Sequence, residues 1–274
     1  MSYRKRNLQM RRCFSMGMEG RFLAQWEENA ESFARLIAGE GTPHHRSILN
    51  PCVEDLIGDV DGKWLLDAGC GEGYLSRFYA SKGARVTGID ISQRLVTTAQ
   101  ETTSELDLDV EFRVGDICDL SESVNETYDI VLSNLVLLNI PCWKDALREF
   151  HRVLKSGGIL VFSIVHPAFN FYGPGAWEMG EKDTETGRRR GLFFKVDDYF
   201  DEREYNRYWR TRTGEQFPLP FSFFHRTISS YVNALTEVGF RLIRIEEPLP
   251  VSDNAFFDRE KRIPFFMVLK ALRP

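Results

Sequence analysis

One acidic residue and three alternate glycines form the stretch of this sequence best suited to bind a small molecule. In K-W-L-L-D-A-G-C-G-E-G-Y (Lys63–Tyr74), Asp67 ends an apolar run and precedes Gly69, Gly71 and Gly73. Glycines are needed where a strand bends sharply into a helix and where a Cβ would keep a ligand from the backbone. The stretch predicts a strand, a tight ligand-binding turn and the start of a helix.

The spacing of the glycines indicates which ligand the loop takes. A dinucleotide fingerprint reads G-x-G-x-x-G and holds a pyrophosphate at a helix N-terminus. Here the order is D-x-G-x-G-x-G, and the carboxylate of Asp67 would repel a pyrophosphate. The loop instead favours a ligand with a cationic end, such as the ammonium of a methionine-derived group.

Two more acidic residues follow predicted strands. Asp90 ends A-R-V-T-G-I-D (Ala84–Asp90), where an acid can accept hydrogen bonds from both ribose hydroxyls of a nucleoside. Asp116 and Ile117 end V-E-F-R-V-G-D-I, and they suit the amino edge and the face of an adenine. Acids after strands often only cap or turn the chain. Their agreement with the glycine loop favours a nucleoside site.

Two longer signatures come next, Y-D-I-V-L-S-N-L-V-L-L-N-I (Tyr128–Ile140) and E-F-H-R-V-L-K-S-G-G-I-L-V-F-S (Glu149–Ser163). With the earlier motifs they make residues 61–160 resemble the S-adenosylmethionine-dependent methyltransferases of the Rossmann-like class. The similarity is to the small-molecule branch that includes the ubiquinone and sterol enzymes, and it extends to the indole-terpenoid C-methyltransferase of the teleocidin pathway. It implies S-adenosyl-L-methionine as the cofactor.

The resemblance also implies the site residues. Those predicted to bind the cofactor are Arg46, Asp67, Gly69, Gly71, Gly73, Asp90, Ile91, Asp116, Ile117 and Ser133, with Arg46 as the cation for its carboxylate. Those predicted to contact the acceptor are Trp26, Phe33, Leu135 and Phe169. The fourth strand ends S-N-L-V rather than N-P-P-Y, which argues against methylation of a base amine or a glutamine amide.

The elements that must position these residues alternate between strand and helix. This order predicts an α/β fold: a doubly wound, mostly parallel seven-stranded sheet with a C-terminal antiparallel strand, an N-terminal helical cap and an aromatic-rich lid insertion. The predicted helices are Arg21–Ala38, Asn50–Val60, Ser92–Thr103, Trp143–Leu154 and Thr227–Val238, with a short irregular one near Leu120. The predicted strands after the glycine loop are Arg85–Ile89, Val110–Val114, Asp129–Ser133, Ile159–Val165, Phe240–Glu247 and Pro264–Leu272.

Four segments follow from this order. Residues 1–60 are the arm and cap, 61–165 the cofactor core, 166–226 the lid or substrate insertion, and 227–274 the elements that complete the sheet. The insertion contains fifteen aromatic residues. Residues 181–215 contain nine acidic and nine basic residues, so this segment has no net charge to attract a nucleic acid. A lid that closes over a hydrophobic acceptor explains the aromatics better, and part of 194–209 could form a hairpin.

Two histidines are the predicted general bases. His166, in S-I-V-H-P, directly follows the fifth strand, and His225 lies in F-F-H-R-T. Either could remove a proton from a hydroxyl or an unactivated carbon, or could instead cap or order the lid. The predicted function is methyl transfer to an apolar natural product, aromatic or terpenoid, on carbon or oxygen. The alternatives are an RNA-modifying enzyme guided by the basic N-terminal arm, and a cofactor-binding protein without transferase activity.

The overall composition excludes several other classes. The net charge of −5 gives no reason to expect a nucleic-acid partner, and no apolar run approaches membrane-spanning length. Five scattered cysteines without a C-x-x-C pair argue against a disulfide framework and structural zinc, and they favour a cytoplasmic location. His44 and His45 lack a third metal ligand nearby, so no metal is predicted. A homo-oligomer formed through the N-terminal arm is a further expectation.

Overall fold

Apolar strands and amphipathic helices alternate along the chain as the sequence predicts. The computed structural model describes residues 2–185, 187 and 189–274, with side chains from residue 20 onward. Its helices are α1 (Ser2–Ile37), α2 (Asn50–Ile57), α3 (Tyr74–Ala80), α4 (Gln93–Thr103), α5 (Trp143–Val153) and α6 (Ile228–Val238). Its strands are β1 (Trp64–Ala68), β2 (Arg85–Asp90), β3 (Val110–Val114), β4 (Tyr128–Asn134), β5 (Leu154–Val165), β6 (Ala176–Lys182), β7 (Arg189–Lys195), β8 (Glu204–Arg207), β9 (Phe221–Phe224), β10 (Arg241–Glu246) and β11 (Phe266–Leu272).

Seven of these strands form the central sheet in the order β10-β11-β5-β4-β1-β2-β3. Every neighbouring pair is parallel except the two that β11 makes with β5 and β10. The predicted fold class is therefore confirmed, including the antiparallel C-terminal strand. The central strands β1, β4 and β5 are almost wholly buried, as expected for parallel strands with helices on both faces.

The helix termini follow the local sequence. Ser92 caps α4 by accepting a hydrogen bond from the Leu95 amide, and Thr227 caps α6 in the same way through the Ser230 amide. Gly239 ends α6 in the left-handed conformation, with φ of 108°. The order of the sheet brings the carboxyl ends of β1, β2, β3 and β4 to one edge, where all the cofactor motifs lie.

Two local predictions were wrong. The segment near Leu120 forms turns instead of a helix, because the side chains of Asp116 and Asp119 accept hydrogen bonds from amides two residues on. Helix α1 begins at Ser2, well before the predicted start at Arg21. The basic side chains of the arm (Arg4, Lys5, Arg6, Arg11 and Arg12) lie outside the described residues, and so does the proposed contact of the arm with a neighbouring subunit or the active site.

The insertion of residues 166–226 folds outside the central sheet. It contains two antiparallel pairs, β6 with β7 and β8 with β9. The hairpin expected within 194–209 does not form, because β7 and β8 each pair with a different strand. Both ends of the insertion are fixed to the core: the His166 amide donates to the Phe265 carbonyl, and the buried Arg226 guanidinium donates to the carbonyls of Leu137 and Ile140.

One pair of cysteines departs from the expectation of unpaired thiols. Cys118, in the turn after β3, forms a disulfide with Cys142, at the N-terminus of α5. The two segments are distant in sequence, but both lie at the carboxyl edge of the sheet, so the spacing of the cysteines gave no signal. An oxygen of Asp116 lies within 4.8 Å of both sulfurs. Bonded sulfurs are not the thiolate ligands that a metal requires.

Within the described residues, none of the helices combines the length and apolar character needed to cross a membrane.

Candidate active site

The glycine loop joins β1 to α3 with all three glycines in the left-handed region, at φ of 85° for Gly69, 57° for Gly71 and 83° for Gly73. A Cβ on Gly69 would lie 2.4 Å from Val136, and one on Gly73 would lie 2.7 Å from the Phe112 ring. These two glycines allow close packing behind the loop. A Cβ on Gly71 would meet only Phe33, at 3.2 Å, because Gly71 lies on the open side. The loop is thus fixed from behind and exposes its backbone to a cavity.

Asp90 connects this loop to β2. Its Oδ2 accepts a hydrogen bond of 2.8 Å from the Gly71 amide, and its Oδ1 accepts one of 3.0 Å from the Ser92 amide. Each oxygen keeps a lone pair for a ligand hydroxyl. Burial raises the pKa of the Asp90 carboxyl above its ordinary value. The arrangement orients an acceptor that suits a ribose diol.

Asp67, at the end of β1, is fully buried under the loop. The Ser76 hydroxyl donates to its Oδ2 at 2.6 Å. Burial is the main cause that raises the pKa of Asp67 to about 7, although the bond from Ser76 opposes the shift. A cationic ligand group nearby would lower this pKa again. Because this pKa is close to neutral pH, a bound ammonium group would determine whether the carboxyl is ionised.

Glu72, within the glycine loop, is a site residue that the sequence analysis missed. It is 2% exposed and pairs with Arg77 through Oε2 at 2.5 Å. Its Oε1 is buried without a hydrogen-bond partner among the described atoms, and the residue lines the cavity. A buried carboxylate oxygen left open costs free energy unless a ligand satisfies it. The occurrence of an acid inside the glycine loop was the available signal.

Asp116 and Ile117 lie beyond β3 on the same side. Asp116 Oδ1 accepts a hydrogen bond of 2.8 Å from the Cys118 amide, which leaves Oδ2 for a ligand. Ile117 is 5% exposed, and Ile91, which follows Asp90, lines the same cavity. A planar ring between these two isoleucines would have apolar contacts on its faces and an acceptor at its edge.

The first cavity brings together most of the predicted cofactor residues. Those that line it are Asp67, Gly69, Gly71, Asp90, Ile91, Asp116 and Ile117, and the predicted substrate residues Trp26, Phe33 and Leu135 join them. Gly73 and Ser133 are not in its lining. Gly73 is the N-cap of α3, and the buried Ser133 hydroxyl donates to the Ala68 carbonyl at 3.1 Å. Both support the loop from behind.

Arg46 differs from its expected place. It does not line the cavity as far as the described residues show, and its guanidinium donates to Glu40 at 2.8 Å and to the Gly41 carbonyl at 3.0 Å. The turn of irregular helix over His45–Leu49 directs the neighbouring His45 inward instead. Arg46, which the sequence analysis predicted at the site, and His45, which lines the cavity, are therefore adjacent in the same helical turn.

His45 lines the cavity with one free ring nitrogen. Its Nδ1 accepts a hydrogen bond of 3.2 Å from the Thr42 amide and lies 2.8 Å from the Thr42 hydroxyl. Because an amide can only donate, the proton of the neutral ring lies on Nε2. Burial, with a smaller contribution from His44, lowers the pKa of His45 to about 4. The ring is thus a neutral hydrogen-bond donor, and the sequence analysis had considered it only as a metal ligand.

A second cavity adjoins the first. The two share Ile37, His45, Leu135, Asn139 and Trp209 in their walls. The second has a volume of about 470 Å³. Six aromatic side chains of the insertion line it: Phe171, Tyr172, Trp177, Tyr208, Trp209 and Phe223. Most of its aromatic wall therefore comes from the segment predicted as a lid.

Aromatic rings connect α1 to this wall. Phe33 stacks on Trp209 with ring centroids 6.2 Å apart, and Trp26 packs on Phe221 at 4.6 Å. Behind them Tyr172 stacks on Phe223 at 4.3 Å with their planes 10° apart. The N-terminal helix and the insertion thus form one continuous aromatic surface.

Leu135 stands where the two cavities meet. Its φ of 59° is in the left-handed region, which is unfavourable for a branched side chain. The conformation is held because the Leu135 amide donates to both the carbonyl and the hydroxyl oxygen of Ser163, at 3.1 and 3.0 Å. Strained backbone of this kind is concentrated at functional sites.

The two predicted general bases lie away from both cavities. His166 Nδ1 accepts from the Ala168 amide at 3.1 Å, and its Nε2 lies 2.7 Å from Glu247 Oε1. Burial lowers the pKa of His166. His225 Nε2 donates to the Tyr199 carbonyl at 2.8 Å, while its buried Nδ1 has no partner among the described atoms. Neither residue lines either of these two cavities, because both rings order the ends of the insertion.

Phe169 also differs from its expected role. Its ring packs on His166 at 5.0 Å and on Phe194 at 6.0 Å, inside the insertion. Phe171, two residues on, lines the second cavity in its place. The short helical turn over Pro167–Phe169 rotates the chain, and no local pattern of residues predicts that rotation.

Comparison with known proteins decides the family. The family described as "Methyltransferase domain" matches residues 66–162. A solved structure from Listeria monocytogenes, described as an S-adenosylmethionine-dependent methyltransferase, superposes with a TM-score of 0.66 at 29% identity and covers 86% of this chain and 99% of its own. Residues 66–162 of this chain form a methyltransferase domain, and the chain as a whole has the fold of the class I S-adenosylmethionine-dependent enzymes. The predicted family and cofactor are thereby confirmed.

Curated relatives give less detail about this methyltransferase. An uncharacterized protein of Haemophilus influenzae is 28% identical over 81% of the chain and 85% of its own length. A ubiquinone biosynthesis O-methyltransferase of Pseudomonas syringae is 38% identical, but over 39% of the chain and 47% of its own length. The methyltransferase spans about half the length of such named relatives.

Proposed function

We propose that this methyltransferase transfers the methyl group of S-adenosylmethionine to an apolar small-molecule acceptor, an aromatic or terpenoid metabolite, held in the second cavity. The observation that carries the proposal is the shared wall of the two cavities at Leu135, His45 and Trp209. Methyl transfer is an in-line displacement, so it requires the acceptor and the cofactor to meet at one point with water excluded.

The residues of the first cavity fit the cofactor. The open Glu72 Oε1 and the buried Asp67 suit the ammonium, the oriented oxygens of Asp90 suit the ribose hydroxyls, and Asp116 suits the adenine amine. The exposed backbone at Gly71 leaves room for the methionine chain. When bound, S-adenosylmethionine supplies an electrophilic methyl group on a sulfonium.

The protein's remaining tasks are orientation and exclusion of water. Trp26, Phe33 and Trp209 form an aromatic wall over the junction, and Leu135 fixes the floor. Neutral His45 is suited to donate its Nε2 proton in a hydrogen bond at the junction. Because its pKa is about 4, His45 is a positioning residue for an acceptor oxygen rather than a base at neutral pH.

We infer that oxygen is the acceptor atom. The named curated relatives include ubiquinone biosynthesis and malonyl-acyl-carrier-protein O-methyltransferases, and a hydrogen-bond donor at the junction favours an oxygen nucleophile. Methylation of carbon, as in the indole-terpenoid enzyme that the sequence resembles, is the alternative. Both a hydroxyl and an unactivated carbon lose a proton on methylation, and His45, whose Nε2 already carries a proton, is not suited to remove it. A phenolic hydroxyl can release its proton to solvent before the transfer, which favours oxygen.

Two measurements test the proposal in sequence. Calorimetric titration should give micromolar binding of S-adenosylhomocysteine and no binding of NAD. Mass-spectrometric screening of phenolic, indolic and terpenoid acceptors should then find a product heavier by one methylene. Phe171→Ala, in the wall of the second cavity alone, should reduce this product strongly and leave the affinity for S-adenosylhomocysteine within about threefold. Binding of the cofactor product with no methylated acceptor in any class would instead support a cofactor-binding protein without transferase activity.

The RNA-modifying alternative has its own test. It predicts binding to RNA that weakens steeply with salt and that is lost when residues 1–12 are deleted. A cytoplasmic location and an oligomer formed through the arm stay predictions. Gel filtration of the full chain beside the variant that lacks residues 1–12 would test the oligomer.

A further inference from the structure

Three polar atoms are buried in the wall of the second cavity without hydrogen-bond partners among the described residues. They are Oε2 of Glu260 and the Nε1 atoms of Trp177 and Trp209. An unsatisfied buried donor or acceptor costs about 1–3 kcal/mol. Each such atom needs an explanation, and because three of them belong to residues around one cavity, a ligand that occupies the cavity would supply it.

Glu260 is a fixed acceptor. It is 1% exposed, and its Oε1 is held 2.7 Å from Nε2 of His44. The His44 ring is itself surrounded by Phe256, Phe257 and Phe265, with centroids between 5.4 and 6.1 Å away. The surroundings of His44 therefore fix the carboxyl group, and Oε2 is left in the cavity wall. This oxygen can accept a hydrogen bond from a ligand.

The two indoles supply the opposite function. Trp177 is held between the Phe194 ring at 5.5 Å and the Arg262 guanidinium at 5.1 Å. Trp209 packs on Phe221 at 4.7 Å. An indole N–H can only donate. The wall therefore presents one acceptor and two donors within an otherwise aromatic surface.

We propose that the acceptor of this methyltransferase is a planar aromatic molecule with a hydroxyl group, and that Glu260 and Trp177, which line the second cavity alone, bind that hydroxyl. This inference rests on the proposed function. A hydroxyl can donate to a carboxylate and accept from an N–H group at the same time. An ammonium group has no lone pair for the indoles, and a ligand carboxylate would be repelled by Glu260.

The position of these residues separates the anchor from the reacting atom. Glu260 and Trp177 line the second cavity and not the first, whereas Leu135 and His45 line both. The hydroxyl bound at Glu260 therefore lies at the end of the acceptor away from the cofactor. The atom that receives the methyl group lies at the other end, beside Leu135. The acceptor carries at least one oxygen that is not methylated.

Equilibrium dialysis with three matched probes tests the inference on the full chain saturated with S-adenosylhomocysteine. The probes are 2-naphthol, 2-methoxynaphthalene and 2-naphthylmethylamine, which share an aromatic body that fits the cavity. Wild-type protein should bind 2-naphthol about tenfold more tightly than its methyl ether, the effect of one satisfied buried group. Glu260→Gln, which keeps an oxygen for His44, should reduce this preference to about twofold. Trp177→Phe should reduce it less.

The outcomes are distinct. Equal binding of 2-naphthol and its ether to wild type, or an unchanged preference in Glu260→Gln, would overturn the inference. Tighter binding of the amine than of 2-naphthol would replace the hydroxyl by a cation. Failure of S-adenosylhomocysteine to bind would refute the proposed function itself, whereas its binding without a hydroxyl preference would refute only this anchor. Thermal unfolding of each variant in the presence of S-adenosylhomocysteine checks that a lost preference for 2-naphthol does not come from general unfolding.

Discussion

The cofactor half of this methyltransferase is the first cavity with the residues that line it, and the acceptor half is the second cavity with its lining. The two halves hold their polar groups in different ways. In the first, polar groups are oriented by near neighbours in sequence or by adjacent strands, as Asp90 is by Gly71 and Ser92. In the second, the wall combines the N-terminal helix, the insertion and residues near the C-terminus. Its polar atoms, such as Oε2 of Glu260, are left without partners among the described residues.

This contrast teaches where specificity is stored. The cofactor half is mostly satisfied by its own hydrogen bonds: among the described residues that line it, Oε1 of Glu72 is the buried side-chain oxygen left without a partner. The acceptor half leaves polar groups open and surrounds them with aromatic side chains, so the ligand completes it. Changes in the first half should therefore alter cofactor affinity, and changes in the second should alter stability or acceptor choice.

The largest effect is expected from Gly71→Val. The side chain would demand a left-handed conformation at φ of 57° and would occupy the open side of the loop. We expect affinity for S-adenosylhomocysteine to fall by about a hundredfold or more. Gly62→Val is the matched control, because Gly62 has φ of 69° and a Cβ there meets nothing within 4 Å. Calorimetry that gave equal losses for both variants would contradict the role of the loop.

The next effect concerns His166, which the sequence nominated as a base and which the structure places in the wall of the insertion. His166→Ala removes bonds to the Ala168 amide and to Glu247. We expect the free energy of unfolding to fall by about 2 kcal/mol, measured in urea, because a buried ring is deleted and the Ala168 amide loses its acceptor. Cofactor affinity should not change. A variant of normal stability without turnover would restore the catalytic role.

A smaller effect should appear in the pH dependence of binding. The pKa of Asp67 is raised to about 7 in the folded protein, mainly by burial. Ionised Asp67 should bind the ligand ammonium better, so the affinity for S-adenosylhomocysteine should rise about tenfold from pH 6 to pH 8. Asp67→Asn should bind more weakly and show a flatter profile. A wild-type affinity independent of pH would exclude this carboxyl from the ammonium site.

The same shift fixes the sign of a stability effect. Because the folded pKa lies above the unfolded value of 3.8, the protonated carboxyl stabilises the free protein at low pH. That contribution is complete below the unfolded pKa and is lost as the pH rises through about 7. In urea, wild-type protein without ligand should lose more stability than Asp67→Asn over this interval.

The smallest effect is expected from Arg46→Ala. The guanidinium pairs with Glu40 at the surface, where such a pair contributes about 0–1 kcal/mol. Affinity for S-adenosylhomocysteine should change by less than about twofold in calorimetry. A loss of more than about tenfold would mean that Arg46 reaches the cofactor carboxylate after all.

The sequence allowed prediction of the cofactor half because its geometry depends on short-range spacing. Three left-handed glycines, an acid at the end of each strand and the β–α alternation are all local features, and the sheet brought Asp67, Asp90 and Asp116 to one cavity. Gly73 and Ser133 belong to the motifs but do not line the cavity, because some positions of a motif are required for packing and not for contact with the ligand.

The acceptor half could not be predicted to the same depth. Aromatic content identified the insertion as a cavity wall, but Phe171 rather than Phe169 lines it, since one short helical turn determines which ring faces inward. Glu260 and His44 are more than two hundred residues apart in sequence, and no local pattern predicts their pairing. The disulfide between Cys118 and Cys142 was missed for the same reason.

The insertion that lines the second cavity is attached to the core at its two ends. Residues 166–226 leave the core after β5 and return at Arg226, where the guanidinium is clamped by the carbonyls of Leu137 and Ile140 beside the junction. No strand of the central sheet lies between these two anchor points in the chain. The length and shape of this segment can therefore change without interrupting a strand of the sheet that carries the cofactor residues, provided that the rings of Phe217, Phe221 and Phe223 keep their place in the core.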